Sequence, residues 1–139
     1  MTAKRTLARE AVLLSLYQID LVNNEPEYAL NTVLEELNLK EKDIIDFSNE
    51  LLFSILDKID EIDDTLESFS KRWKLFRMSC IDRNILRIAT YEILYREDIP
   101  FKVSINEAIG LAKIYGDEKS PRFINGVLAS VIKEKELSE

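Results

Sequence analysis

The residues most able to do chemistry lie at the start of the chain, and the chemistry they suit is the binding of anions. Lys4, Arg5 and Arg9 are cations, and Arg9 follows Arg5 by about one helical turn on a similar face. Ammonium and guanidinium groups donate charge-assisted hydrogen bonds to phosphates. The pattern therefore indicates either a surface that neutralises a phosphate backbone or a frayed, solvated terminus.

Groups suited to catalysis are scarce elsewhere in the sequence. There is no histidine, the single cysteine (Cys80) opens a predicted helix, and neither a metal-ligand cluster nor a glycine-rich phosphate loop is found. The carboxylates between residues 57 and 67 are typical of an exposed helix face. The sequence thus predicts a binding protein without a cofactor rather than an enzyme.

The charge of the chain is unevenly distributed. The net charge is −7, but residues 23–70 carry fourteen acidic and three basic groups, whereas residues 71–91 carry six basic groups and one acidic group. The local field decides whether a phosphate backbone can dock, so an acidic total does not exclude a nucleic-acid partner.

Composition also indicates the compartment. A lone cysteine cannot form an intrachain disulfide, which favours a reducing, cytoplasmic setting. No apolar run approaches the roughly 20 residues that span a membrane. We therefore expect a cytoplasmic protein without a membrane partner.

The elements that must position these residues are predicted to be helices throughout. Three glycines and three prolines leave little room for turns, and apolar residues recur at helical spacing. On the first helix the predicted apolar stripe includes Ala11, Tyr17 and Leu21. The predicted helices span residues 3–22, 26–38, 41–58, a fourth stretch to about 70 after a break near 57–60, then 80–95, 104–115 and 120–135.

Helix ends are marked by particular residues. Ser79 is predicted to cap the fifth helix, and Ser104-Ile-Asn-Glu107 forms the pattern of a capping box for the sixth. Gly116 is the expected left-handed stop, and Ser120 before Pro121 is the expected cap of the seventh helix. Gly126, within that last helix, predicts either close approach of another helix or backbone access for a ligand.

Two blocks of sequence resemble one family. Residues Ala8–Gln18 are similar to the opening helix of NusB-family transcription antitermination factors, and Trp73–Leu128 is similar to their second half. The second block contains Asp82–Ile93, Val103–Ala108 and Phe123–Leu128. The resemblance implies an all-α fold of about seven helices in two small subdomains that share a core, about 1–59 and 60–139, in a single RNA-binding domain.

The same resemblance implies a function and partners. Family members bind a short single-stranded RNA element, boxA, together with NusE, a ribosomal small-subunit protein. The complex joins the RNA polymerase elongation complex through other Nus factors and suppresses termination, notably in ribosomal RNA operons.

Site residues follow from matching positions. The resemblance places an arginine-rich RNA-binding cluster at the start of the chain, although Thr6 and Leu7 stand where richer members carry arginine. It also places RNA near the loop that leads into the last helix, beside a helix N-terminus that attracts anions. For Tyr17 and Phe123, base stacking competes with core packing. The predicted RNA-binding residues are Lys4, Arg5, Arg9, Tyr17, Lys119, Arg122 and Phe123.

Two interpretations are open for each of the other basic groups after residue 70. Lys71, Arg72, Lys74 and Arg77 either extend the basic surface or face a protein partner. Arg83 and Arg87 are predicted to form either a structural ion pair, with Glu92 nearby, or a ligand contact.

Three alternatives remain open at this point. The chain could be a protein-interaction module whose basic ends are merely solvated. It could be the NusB-like domain appended to ribosomal RNA cytosine methyltransferases, in which a separate domain carries the catalytic cysteine. It could act as a monomer or as a homodimer.

Overall fold

The computed structural model describes residues 3–69 and 74–138, in which the chain forms seven α-helices, one 3-10 helix and no strand. This confirms the all-α prediction. No helix in these residues is long and apolar enough to cross a membrane. The chain divides into two compact units, Met1–Asp57 and Lys58–Glu139. The helices are α1 (Lys4–Val22), α2 (Pro26–Glu36), α3 (Lys42–Asp57), α4 (Ile59–Phe69), the 3-10 helix (Leu75–Arg77), α5 (Cys80–Tyr95), α6 (Phe101–Tyr115) and α7 (Ser120–Ser138).

In the first unit, α1, α2 and α3 pack against one another. Small side chains on α1, such as Ala8 and Ala11, are fully buried, so the helix backbones approach closely. Branched side chains from all three helices fill the remaining core. These core residues include Val12, Leu16, Leu30, Val33, Ile44, Leu51, Leu52 and Ile55.

The buried face of α1 differs from the prediction. The predicted stripe placed Tyr17 and Leu21 inward, but both are exposed, whereas Ala8 and Ser15 are buried. Ser15 satisfies its hydroxyl by donating to the Ala11 carbonyl oxygen at 2.7 Å. Because apolar residues occupy most of α1 between positions 7 and 16, helical periodicity alone permits more than one inward face.

Local helix boundaries agree with the turn residues. The first helix ends at Val22 and the second begins at Pro26, as predicted, and Asn23 after α1 lies in the left-handed region at φ 59°. The second helix ends at Glu36, earlier than predicted, and Asn38 then adopts φ 56°. The predicted break between the third and fourth helices falls at Lys58.

In the second unit, α5 packs against α4, α6 and α7, and consequently most of its surface between Asn84 and Ile93 is buried. Its start is the predicted cap, since the Asp82 backbone N–H donates to Ser79 Oγ at 3.1 Å. Apolar residues from the neighbouring helices complete this core, among them Ile62, Leu66, Ala108, Leu111, Ile124, Leu128 and Val131.

Ser104 does not cap α6, so the predicted capping box is wrong. The helix already begins at Phe101, after Pro100. Ser104 is buried, and its hydroxyl donates to Oε1 of the buried Glu92 at 2.8 Å. A buried carboxylate requires hydrogen-bond donors, so this serine serves the α5–α6 contact instead of the helix end.

Gly116 ends α6, but not through the predicted left-handed conformation. Its φ and ψ are −88° and −173°, an extended geometry that any residue can adopt. A Cβ built here would lie 2.5 Å from Ser120 Oγ and 2.8 Å from the Ala112 carbonyl oxygen. Close packing of the α6–α7 loop therefore requires the glycine.

Asp117, rather than Ser120, caps α7. Asp117 Oδ1 accepts hydrogen bonds from the backbone N–H groups of Lys119 (2.8 Å) and Ser120 (3.1 Å). Ser120 is the first residue of the helix, and its hydroxyl oxygen accepts from the Asp117 N–H at 3.0 Å. The predicted helix start is thus correct to within a residue, while the predicted capping group is wrong.

The prediction that another helix approaches Gly126 closely is also wrong. This residue is exposed, and a Cβ added there would meet nothing within 4 Å. The alternative, that Gly126 gives a ligand access to the helix backbone, stays a prediction.

Replacing Gly116 with alanine is expected to lower the free energy of unfolding by about 1–3 kcal/mol, because the methyl group overpacks the loop. Gly110→Ala is the matched control, since Gly110 lies inside α6 with open space around its Cα. That change is expected to be neutral or to stabilise the helix by up to about 1 kcal/mol. Urea unfolding followed by circular dichroism measures both, and equal effects would contradict the packing argument.

Candidate nucleic-acid interface

Lys4 lies at the first position of α1, beside the start of α3. Its Nζ donates to Asp43 Oδ2 at 3.1 Å and lies 3.5 Å from Glu41 Oε2. The hydrogen bond and the charge of Asp43 raise the pKa of Lys4, with a smaller contribution from Glu41. Lys4 is therefore a charged, exposed group that already has carboxylate counterions, which any phosphate must replace.

Arg5 and Arg9 both lie against the ring of Phe47, which projects from α3. The guanidinium carbon of Arg5 is 4.5 Å from the ring centroid and that of Arg9 is 5.6 Å away, within cation–π range. Their exposure differs sharply, because Arg5 is exposed whereas Arg9 is only 3% exposed. Arg5 therefore presents its guanidinium group at the surface, whereas Arg9 is buried beside the same ring.

The sequence reasoning missed the contribution of α3 to this cluster. Phe47 is 8% exposed, as expected for an apolar residue of the third predicted helix, but its ring also lies against both arginines. Glu41 and Asp43, the carboxylates beside Lys4, belong to the acidic stretch of residues 23–70. The available signal was the charge reversal between α1 and the start of α3, although sequence alone does not say that the two helices meet.

Tyr17 lies further along α1 and is 39% exposed. The core-packing alternative is therefore wrong for this ring, and the exposed edge needed for base stacking is present. Its contact with RNA stays a prediction.

The remaining predicted residues belong to the second unit. Lys119 and Phe123 line a cleft of about 260 Å³, together with Arg77, Met78, Ser79, Asp82 and Asp117. Within this cleft, Asp82 Oδ1 is buried and accepts no hydrogen bond from the described residues. Phe123 is half-buried and Lys119 is exposed. The cleft thus combines an aromatic ring, two cations and two carboxylates, and its ring and cations are groups that suit a nucleotide.

Arg122 is exposed on the first turn of α7 and does not line that cleft. Lys74 and Arg77 are exposed too, and the Arg77 guanidinium carbon lies 5.8 Å from the centroid of the exposed Phe76 ring. Lys71 and Arg72 lie outside the described residues.

Arg83 and Arg87 are structural. Arg87 pairs with Asp63 of α4 through two hydrogen bonds of 2.8 Å. Arg83 donates to the carbonyl oxygens of Leu75 and Met78 at 3.3 Å each, which anchors the 3-10 helix to α5. The structural alternative for both arginines is the one that the geometry supports.

The described residues contain no group of three or more acidic or cysteine side chains that could hold a metal ion. The chemistry offered by the exposed residues is the binding of anions and the stacking of planar groups.

Comparison with known proteins decides the family. The NusB family matches residues 6–133. The transcription antitermination protein NusB of Bacillus pumilus is 46% identical over 128 residues, which cover 92% of this chain and 94% of the relative. The chain belongs to the NusB family. The expectation that it is not an enzyme is thereby confirmed, because NusB proteins are transcription antitermination factors.

Two solved structures show how fully this NusB-family chain shares the fold. A NusB structure from T. maritima is 37% identical, with a TM-score of 0.87, and the match covers 96% of this chain and 94% of that one. A structure of the antitermination factors NusB and NusE in complex with double-stranded RNA contains a chain that is 31% identical, again with a TM-score of 0.87. That match covers 96% of this chain and 99% of the other.

Proposed function

We propose that this NusB-family chain binds boxA-type single-stranded RNA together with NusE, in the cytoplasm. The resulting complex joins elongating RNA polymerase through other Nus factors and suppresses termination, notably in ribosomal RNA operons. The observation that carries the proposal is the exposed Arg5 stacked on Phe47, in a family with a solved NusB–NusE–RNA complex.

The chemistry of the exposed residues supports an RNA ligand. Arg5 and Lys4 supply donors for phosphate, and Tyr17 and Phe123 supply rings for unstacked bases. Single-stranded RNA is recognised by this combination of cations and aromatic faces. A relative named as a transcription antitermination protein is 46% identical over 92% of this chain, which supports an antitermination function.

Binding of labelled RNA measured by fluorescence anisotropy tests the proposal. A boxA-type oligonucleotide, a scrambled strand of the same composition and a double-stranded RNA are compared with and without NusE. We expect the boxA strand to bind most tightly and NusE to strengthen that preference. Equal affinity for the boxA and scrambled strands would overturn the proposal and favour the protein-interaction module. Sedimentation velocity on the same samples separates monomer from homodimer.

A further inference from the structure

Phe47 occupies an unusual place for a core aromatic residue. It is buried in the first unit, yet its ring lies within cation–π distance of two arginines of α1. One of these, Arg5, is exposed and is the arginine that the proposed function assigns to RNA. The other, Arg9, is buried. The ring therefore links the core of the unit to a cation at its surface.

Stacking and phosphate binding use different parts of a guanidinium group. The flat face interacts with an aromatic ring, while the N–H donors lie in the plane of the group and form hydrogen bonds at its edges. A guanidinium can therefore stack on Phe47 and donate to a phosphate oxygen at the same time. A leucine at position 47 would fill much of the same space but would offer no aromatic face.

Holding the side chain in advance also favours binding. A free arginine loses considerable rotamer freedom when it is fixed against a ligand, and each immobilised long side chain weakens association. Phe47, with Arg9 beside it, restrains Arg5 before any ligand arrives. Asp43, Asp46 and Glu50 line a cleft of about 440 Å³ together with Lys4, Arg5 and Phe47, so a phosphate that binds there must compete with carboxylates for the cations.

We infer that Phe47 is a positioning residue for RNA binding: its ring holds the Arg5 guanidinium in the orientation that receives an RNA phosphate. The inference rests on the proposed function. Phe47, a core residue of α3, thereby contributes to the RNA affinity without touching the RNA itself.

A double-mutant cycle on the full chain tests the inference, with a labelled single-stranded boxA-type RNA as the probe. Phe47→Leu is expected to weaken binding about two- to tenfold. In an Arg5→Ala background the same change is expected to have almost no effect, because the ring acts through Arg5. Phe47→Tyr retains the aromatic face and is expected to keep most of the affinity.

A second readout separates positioning from a general loss of structure. Phe47→Leu leaves the charge unchanged, so the slope of log affinity against log salt is expected to stay the same, whereas Arg5→Ala lowers it by about 0.7. Circular dichroism verifies folding, and Phe47→Met replaces the leucine variant if that variant unfolds.

The outcomes separate this inference from the proposed function. Equal losses from Phe47→Leu with and without Arg5 would overturn it, as would full affinity in the leucine variant. An Arg5→Ala variant that binds like the wild type would also overturn it, while leaving RNA binding by the chain intact. A wild-type chain that binds no RNA would overturn the proposed function and this inference together.

Discussion

Replacing Asp63 with alanine is expected to lower the free energy of unfolding by about 3 kcal/mol. Asp63 receives two hydrogen bonds of 2.8 Å from Arg87, whose third nitrogen donates to Asn84 at 3.0 Å. The Arg87 side chain is only 11% exposed, so removing the carboxylate takes away the acceptor of two hydrogen bonds from a cation that water reaches poorly. Breaking a buried pair in this way costs about 3–5 kcal/mol, and the 23% exposure of Asp63 argues for the low end.

Asp46→Ala is the matched control, because Asp46 also pairs with a cation, at 2.6 Å from Lys42. Both of those side chains are mostly exposed, and exposed pairs of this kind contribute little to stability. Urea unfolding of the two variants is expected to separate them clearly. Adding Arg87→Met to Asp63→Ala is expected to restore part of the loss, since the poorly solvated charge is removed while an apolar side chain of similar length is kept. Equal stability of the two single variants would contradict the argument.

This pair illustrates what the sequence could not supply. The carboxylates of residues 57–67 are mostly exposed, as predicted, but Asp63 and Glu61 have specific partners on α5. Glu61 accepts a hydrogen bond from Tyr95, and burial together with this bond raises the pKa of Tyr95 to about 12. Which acidic residues of a helix face a neighbour depends on how α4 docks on α5, and helical periodicity does not determine that.

Helix ends were predicted correctly where the contacts are local in sequence, and incorrectly where the contacts depend on folding. Asn23, Pro26 and Ser79 act through their own backbone or that of residues within one turn, and their roles were predictable from sequence. Ser104 and Gly116 depend on partners brought in by folding, Glu92 of the neighbouring helix and the side chain of Ser120 across the loop. Local sequence rules therefore identified Ser104 and Gly116 as structurally important but predicted the wrong role for each.

In the candidate site too, some features follow from the sequence and others depend on how the helices pack. The positions of the cations are fixed by the sequence, so Lys4 and Arg5 could be chosen before the fold was known. The burial of Arg9 and the counterions of Lys4 could not be predicted in this way. Both depend on the packing of α1 against α3, which lies more than thirty positions later in the chain. The structure therefore divides one predicted cluster into an exposed arginine (Arg5), a buried arginine (Arg9) and an exposed lysine (Lys4) beside two carboxylates.

Arg5→Ala is consequently the substitution expected to reduce RNA binding most among the residues of this cluster. Losing one charge-assisted hydrogen bond to phosphate removes about 1.5–3 kcal/mol, which corresponds to a loss of affinity of roughly tenfold or more. Because Arg5 is exposed on the first turn of α1, the fold is expected to survive the change. Fluorescence anisotropy with a single-stranded boxA-type RNA measures the loss, and thermal unfolding followed by circular dichroism verifies that the protein stays folded.

Two further variants distinguish a specific contact from a general charge effect. Lys102→Ala removes the same charge from an exposed position in the second unit and is expected to change RNA affinity far less. Arg5→Lys keeps the charge but loses the planar donor group, so it is expected to retain the salt dependence while recovering only part of the affinity. If Lys102→Ala and Arg5→Ala weakened binding equally, overall charge would account for the affinity. Arg5 would then have no special role, and the first turn of α1 would be a solvated terminus after all.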